Sequence, residues 1–370
     1  MDNKALTLKE LQSNAGRLNN RLAVVGLDGF VDKIIHPVDK RHGPGDAFER
    51  IKTITDFAGR IGRAAGKSAN IELAPVLEKL GGNGPIMANA LLSLGLKTRY
   101  IGALGQQVIH PIFEAFARAT DAISLTDPGV THACEFNDGK ILLGSLAPLE
   151  KVTYDRIIEV MGEGPFLDLM SRGDLIALTN WTMLPYMTEL WNTLTDQVLP
   201  NLNRLEGRQF FFDLADPEKR STSDLQGALQ AIKRFQSFGN VTLGLNFKEG
   251  QQVDALLGNA ESEPEPDQLK AMATRIRNAL GITCVVVHPT RSAACATKED
   301  AYWVEGPFTD NPKITTGAGD HFNAGFCTGR LLGLSPLAAL TVAVSTSGSY
   351  VRTGQSPNLS SIQSFISGWK

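Results

Sequence analysis

The chain is poor in the features that mark a secreted, membrane-bound or nucleic-acid-binding protein. It has four cysteines in 370 residues, Cys134, Cys284, Cys295 and Cys327, scattered and without C-x-x-C spacing. This excludes a disulfide framework and a cysteine zinc site, and fits reduced, buried thiols. No apolar run is long enough to cross a bilayer, and Met1–Glu10 contains no apolar core of a signal peptide, so a cytoplasmic protein is expected. A formal net charge of −3 gives no ground for a nucleic-acid or membrane partner. Internal repeats, heptads and low-complexity tracts are missing. The residues that remain, 42% apolar and 20% charged, are ordinary for a globular chain long enough for one large α/β domain or two small ones.

Along the chain, short β-branched or aromatic runs alternate with helical patterns. The runs are Leu22–Gly26, 98–105, 175–180, 209–214, 241–246 and 284–288. Helical segments are expected over 5–20, 46–66, 183–199, 221–237 and 265–280. Such βαβα order predicts a mostly parallel sheet covered on both faces. Residues 129–145 read as a hairpin turning through Asn137-Asp-Gly-Lys140. Glu261–Asp267, rich in acid and proline, reads as an exposed loop. Ala65-Gly-Lys-Ser68 imitates the end of a phosphate-binding P-loop, but Ile61 stands where its first glycine is required, so that motif is rejected.

Two glycine-rich stretches carry chemistry. Gly317-Ala-Gly-Asp320 precedes a helical pattern through Phe322, Phe326 and Leu331. Small residues at a helix N-terminus let backbone N–H groups converge on an anion. An acid beside such a nest repels phosphate unless it takes a proton from an attacking hydroxyl; otherwise Asp320 is a helix-start acid after a glycine turn. Earlier, Gly81-Gly-Asn-Gly-Pro85 opens a helix that ends at Gly95, and a strand follows.

Thr315-Thr-Gly-Ala-Gly-Asp320, with Phe322 and Gly325, closely resembles the C-terminal signature of the ribokinase-like (PfkB-type) sugar and nucleoside kinases. The Gly81–Gly95 stretch resembles that family's N-terminal signature, in the right order. The resemblance spans roughly residues 20–368. It implies a single domain over 1–370, a three-layer α/β/α sandwich with a mostly parallel central sheet, and a small β lid drawn from within 33–80 and 129–146. Asp320 would be the general base, and the amides of Gly317, Ala318 and Gly319 the anion hole for the γ-phosphoryl group of ATP. Gly81, Gly82 and Asn83 would lie against the substrate, with Asp32 or Asp28 contacting its hydroxyls, unless either is a turn or cap acid. Asn246 and Glu249 match the family's N-x-x-E element, which orders water around Mg2+; taken alone they spell a helix capping box. Thr316 would touch the donor, and Asp213 stands where the family often carries an acid near substrate or phosphates.

The chain also departs from the pattern. His288-Pro-Thr-Arg-Ser-Ala293 replaces a glycine-containing element near the nucleotide, and Arg291 there either grips a phosphate or is solvated. Ile314 stands where the family commonly has the Asp linked to a monovalent-cation site, so potassium activation is not implied. Ile86 or Met87 replaces a polar residue near the sugar. His321 follows the base and is expected to be a buried, hydrogen-bonded histidine or a substrate contact. The expectation is an ATP- and Mg2+-dependent kinase acting on a sugar or sugar-like small molecule, with a homodimer through the lid in view. The alternatives are a nucleoside kinase, with Phe30 forming part of a purine slot, and a non-catalytic sugar- or nucleotide-binding homologue.

Overall fold

The fold is described from a computed structural model, for residues 3–203, 206–259 and 262–369. The first strand, β1 (Leu22–Leu27), is apolar along its whole length because both of its faces are covered. Ala23 and Val25 face one layer of helices, and Val24 and Leu27 face the other. The chain then leaves the main layer for β2 (Phe30–Arg41), β3 (Phe48–Arg50) and β4 (Leu73–Gly81). It returns for β5 (Lys97–Ala103) and β6 (Ile123–Thr126), and leaves again for the hairpin β7 (Gly129–Phe136) and β8 (Gly139–Ser145). The remainder builds β9 (Leu175–Leu178), β10 (Gln209–Asp213), β11 (Asn240–Asn246), β12 (Cys284–His288), β13 (Ser292–Ala296) and β14 (Ala301–Glu305).

Among the described residues the main sheet runs β14-β13-β12-β11-β10-β9-β1-β5-β6. It is parallel from β12 to β6, and antiparallel where β13 and β14 close the edge. From β1 the chain grows outward one way through β5 and β6, and later the other way through β9 to β12. The topological switch point therefore lies between β1 and β9, where open α/β sheets leave a crevice beyond the carboxyl ends of their strands. The expected α/β/α sandwich is present. Phe210 and Phe212 of β10 point into the layer holding the helices Thr222–Arg234 and Pro266–Leu280, and Phe211 points into the opposite layer.

The lid is a second sheet, ordered β3-β2-β7-β8, with β4 added along β2. β2 pairs parallel to β7 and antiparallel to β4, so the chain's two excursions zip together at their roots. A small cluster of Ile35, Ile51, Phe57, Cys134 and Phe136 fills its interior. The hairpin turn falls at Asn137-Asp138 as expected. The continuous helix expected over 46–66 is not formed: β3 occupies 48–50 and a helix spans only Ile54–Gly62. Thr53 starts that helix as N-cap for Asp56 N–H, and Asp138 of the hairpin accepts Ile54 N–H at 3.0 Å, so tertiary contacts set its boundary. Lys67 and Ser68 are exposed in an irregular segment that follows the helix Ile54–Gly62, so no strand leads into them, in keeping with rejection of the P-loop. Of the loop expected at 261–267, Glu261 lies outside the described residues. Ser262 is buried, its Oγ receiving Arg275 Nη2 at 3.2 Å, and 263–265 are exposed before a helix begins at Pro266.

Phe211 is fully buried, and its ring fills the space above Gly244, where a Cβ would come within 2.5 Å of Cζ. Phe211→Ala is expected to lower unfolding free energy by about 3–5 kcal/mol, read from the shift of a denaturant midpoint. A loss under about 1 kcal/mol would mean that the two layers do not depend on this ring.

Candidate active site

The carboxyl ends of the central strands converge on one cavity of about 710 Å3, whose wall includes Asn83, Asp213, Asn246, Glu249, His288, Gly317, Ala318, Gly319 and Asp320. The last four come from one turn of chain. Gly317 is the N-cap of the helix Ala318–Leu331 with φ +87°, a left-handed conformation that costs glycine nothing. Ala318 N–H closes the turn onto Thr315 C=O at 3.2 Å. Asp320 then falls in the first helical turn, buried to 6% exposure, with Asn83 Nδ2 donating to its Oδ1 at 3.0 Å. Burial, together with the charges of Asp28 and Glu249, raises its pKa to about 8, against the smaller lowering by Asn83.

Asp213 and Glu249 also line this wall. Asp213, at the end of β10, is buried and accepts Asn323 Nδ2 at 3.0 Å through Oδ2, while Oδ1 has no partner among the described residues. Burial and then the charges of Glu249 and Asp320 push its pKa well above the usual carboxylate range. Glu249 completes a capping box: Oε2 receives Asn246 N–H, and Asn246 Oδ1 receives Glu249 N–H. Glu249 Oε1 also receives Asp216 N–H at 2.9 Å, so both carboxylate oxygens hold backbone. Asn246-x-x-Glu249 thus forms the helix capping box, and both residues also line the cavity.

Asp28 and Asp32, which the sequence leaves as alternatives, occupy different places. Asp32 is half-buried at the root of the lid beside Gly81, where a Cβ would fall 2.5 Å from the Asp32 Cγ. Burial raises its pKa, opposed by Lys79, Thr131 and Lys140. Asp28 is completely buried below the helix Asn83–Ser93 and bonded throughout by protein groups.

Thr316 is half-buried beside the glycine turn, and Lys140 of the lid hairpin donates to its Oγ1 at 3.3 Å. The lid lysine had no signal in the sequence beyond its place in the hairpin; only the fold carries it across to the turn. Arg291 is exposed and absent from the cavity wall. Its guanidinium lies 3.4 Å from the centre of the Phe308 ring, which does line the cavity. Pro289, Thr290 and Ser292 of the same segment face the cavity instead. His321 is the buried, hydrogen-bonded histidine. Nδ1 lies 2.7 Å from Gly317 C=O, which can only accept, so Nδ1 carries the proton and Nε2 accepts from Ser356 Oγ at 2.8 Å. Tyr350 stacks on its ring at 3.6 Å and donates to Thr316 C=O at 3.0 Å, so this pair braces the glycine turn from behind. Burial lowers the His321 pKa to about 4, so it stays neutral. Ile86 packs against Gly317 from the other side. Phe30 is buried, with its ring edge against Gly129, and offers no open slot for a purine.

The chain matches the family model described as prokaryotic ketohexokinase over residues 8–369. It belongs to that family. A ketohexokinase from Haloferax volcanii is 25% identical over 355 residues, covering 95% of this chain and 92% of the relative. Among solved structures, the ribokinase of Arabidopsis thaliana, complexed with ribose and ATP, superposes with a TM-score of 0.64 at 16% identity, covering 94% of this chain and 98% of that one. A phosphofructokinase-2 variant from Escherichia coli gives a TM-score of 0.63 at 16% identity, with 94% and 98% covered. A nucleoside kinase from Methanocaldococcus jannaschii gives 0.60 at 11% identity, with the same coverage. The chain is a ribokinase-like carbohydrate kinase, an ATP-dependent sugar kinase by family. No helix among the described residues is long and apolar enough to cross a membrane.

Because the folded-state pKa of Asp320 lies above the ordinary 3.8, the native protein binds more protons than the unfolded chain between about pH 4 and pH 8. Its contribution therefore favours folding at low pH and is lost as pH rises through that window. Asp320→Asn removes this dependence. The variant is expected to match wild type near pH 4 and to exceed it by on the order of a few kcal/mol at pH 8, read from paired denaturant titrations. A difference that does not grow with pH would show that Asp320 ionises freely.

Proposed function

We propose that this chain transfers the γ-phosphoryl group of ATP to a primary hydroxyl of a ketohexose, with Asp320 as general base. The observation that carries the reading is a buried acid in the first turn of a helix, directly after a glycine turn, facing the cavity where strand ends meet. The family description and the Haloferax volcanii relative support a ketohexose as acceptor.

In this mechanism the sugar lies between Asp32, the Gly81–Asn83 turn and Asp320, under the lid. Asp320 accepts the proton of the attacking hydroxyl, and the amides of Gly317, Ala318 and Gly319 receive the charge that gathers on the transferring group. A raised pKa suits a base that must take a proton and keep it. The Tyr350–His321 brace holds the amide turn in place, so no reorganisation is required at the moment of transfer. Thr316 and Lys140 flank the same turn. The lid covers the acceptor and keeps water from competing for the phosphoryl group. Arg291, stacked on Phe308, would act on the nucleotide only through that ring.

The residues present fit magnesium, because the buried Asp213 Oδ1 has no protein partner and needs a donor. Asn246 and Glu249 would hold the ion through water, with Asp213 beside them, since both Glu249 oxygens already receive backbone N–H groups. When bound, the ion neutralises charge on the donor phosphates.

Asp320→Asn is expected to lower kcat by about a hundred- to ten-thousand-fold in a coupled ADP-release assay with Mg-ATP and a ketohexose panel. The melting-temperature rise given by ATP should persist. Wild-type-like turnover in that variant would sink the mechanism, and turnover of nucleosides but not ketoses would replace the acceptor.

We also read the lid as the surface through which two copies pair. Its outer strands leave large apolar groups in solvent, Val76 and Leu77 on β4 and Leu142 and Leu143 on β8. Leu77→Asp combined with Leu142→Asp is expected to shift a dimer to monomer in sedimentation analysis, and a wild-type protein that is monomeric at assay concentration would refute it.

A further inference from the structure

Asp28 follows β1 at the switch point, where a substrate-reading acid is expected, yet its carboxylate has no room for substrate. Oδ2 receives Asn83 N–H at 2.9 Å and Asn180 Nδ2 at 2.6 Å. Oδ1 receives Gly84 N–H at 2.8 Å, with the Tyr100 hydroxyl 3.4 Å away. That hydroxyl donates to the Asp28 main-chain oxygen at 2.5 Å. Oδ2 is fully used by its two donors, and with Asp28 at 0% exposure no sugar hydroxyl can reach Oδ1. The glycines above complete the fit. A Cβ at Gly82 would come 3.0 Å from Oδ2, and one at Gly84 would come 2.7 Å from Oδ1.

The two backbone N–H groups that Asp28 holds belong to the first turn of the helix Asn83–Ser93, where such groups have no intrahelical partner. The side chain projecting from that turn is Asn83, whose amide donates to Asp320 Oδ1 at 3.0 Å. A continuous line of hydrogen bonds therefore runs from Asn180 after β9, through Asp28 after β1, to Asn83 and the base. We propose that Asp28 is a positioning residue: it seats the first turn of that helix from below, and so fixes the Asn83 amide on Asp320, without touching the sugar. A carboxylate is needed because two separate N–H groups must each meet an acceptor, and an asparagine presents only one. Asn180 keeps Asp28 in register from the neighbouring strand, in a left-handed conformation at φ +59°.

The inference rests on the kinase reading above, and its test separates the two. Wild type, Asp28→Asn, Asn83→Ala and the double variant are compared in the ADP-release assay. Asp28→Asn is expected to lower kcat about 10- to 100-fold with the KM for ATP within about twofold, and to add nothing to Asn83→Ala. The acid limb of kcat should also move to lower pH, because one negative charge facing Asp320 is gone. The other ionisable groups facing it, Asp213, Glu249 and Tyr350, are unchanged. Losses that multiply in the double variant, or a raised sugar KM at unchanged kcat, would overturn the proposal; the second is the mark of a direct sugar contact. Asn180→Gly suits the positive φ, removes one donor to Asp28 and keeps its charge. It should give a smaller kcat loss, again absent in the Asn83→Ala background, and serves if Asp28→Asn fails to fold. A readout free of turnover is the Asn83 side-chain amide NMR signal. It should titrate with Asp320 in wild type and lose that dependence in Asp28→Asn and in Asn180→Gly; an unchanged titration in both would refute the coupling. If wild type phosphorylates no sugar, the substrate reading fails by itself, and this signal still decides the role of Asp28.

Discussion

The constraint on which the rest of this structure depends is the burial of Asp28, Asp213, Glu249 and Asp320 close together, with Asp28 beneath the cavity wall that the other three line. Burial opposes the ionisation of each, and the charges of neighbouring acids add to it at Asp213, Glu249 and Asp320. The protein answers this unevenly. Asp28 and Glu249 are surrounded by backbone and amide donors, which makes them structural anchors for two helix starts. Asp213 has only one amide partner and Asp320 only the amide of Asn83, so these are the two acids left with capacity for a ligand.

The sheet makes such crowding achievable. A parallel sheet ends all of its strands on one side, so polar residues placed just after each apolar run meet there without any being near another in sequence. β1, β9, β10 and β11 deliver Asp28, Asn180, Asp213 and Asn246 in this way, while the helix after the late glycine turn brings Asp320 from above. The lid is cantilevered from the same point, since β2 begins two residues after Asp28. The second sheet is thereby tied to the floor of the cavity. On the donor side, the wall is made by an irregular segment with proline where a glycine-rich element was expected, and His288 lies against Phe322 at 4.4 Å between ring centres. Arg291 stacks on Phe308, which lines the cavity there.

Much of this was legible from residues alone. Apolar runs buried on both faces, the hairpin at Asn137–Asp138 and the two glycine-opened helices are local patterns with local causes, and they pointed to the sandwich, the second sheet and a buried acid after a glycine turn. Such patterns do not carry burial or partners. The acids after β1 were equivalent in sequence; in space Asp32 faces the lid root, and Asp28 vanishes beneath a helix that begins over fifty residues later. The helix expected over 46–66 failed because β3 pairs with β2, a contact that propensity does not register. Arg291 read either as a phosphate ligand or as solvated, because charge is visible in sequence and direction is not.

What the sequence by itself determined is the order of strands and helices, the acid after a glycine turn, and the family to which both point, since each depends on neighbours along the chain. Only the tertiary structure decided which carboxylates keep an open acceptor, which histidine braces the glycine turn, and which lysine reaches it. Those outcomes depend on how many donors arrive from distant segments, and on how much water each group keeps once they have arrived.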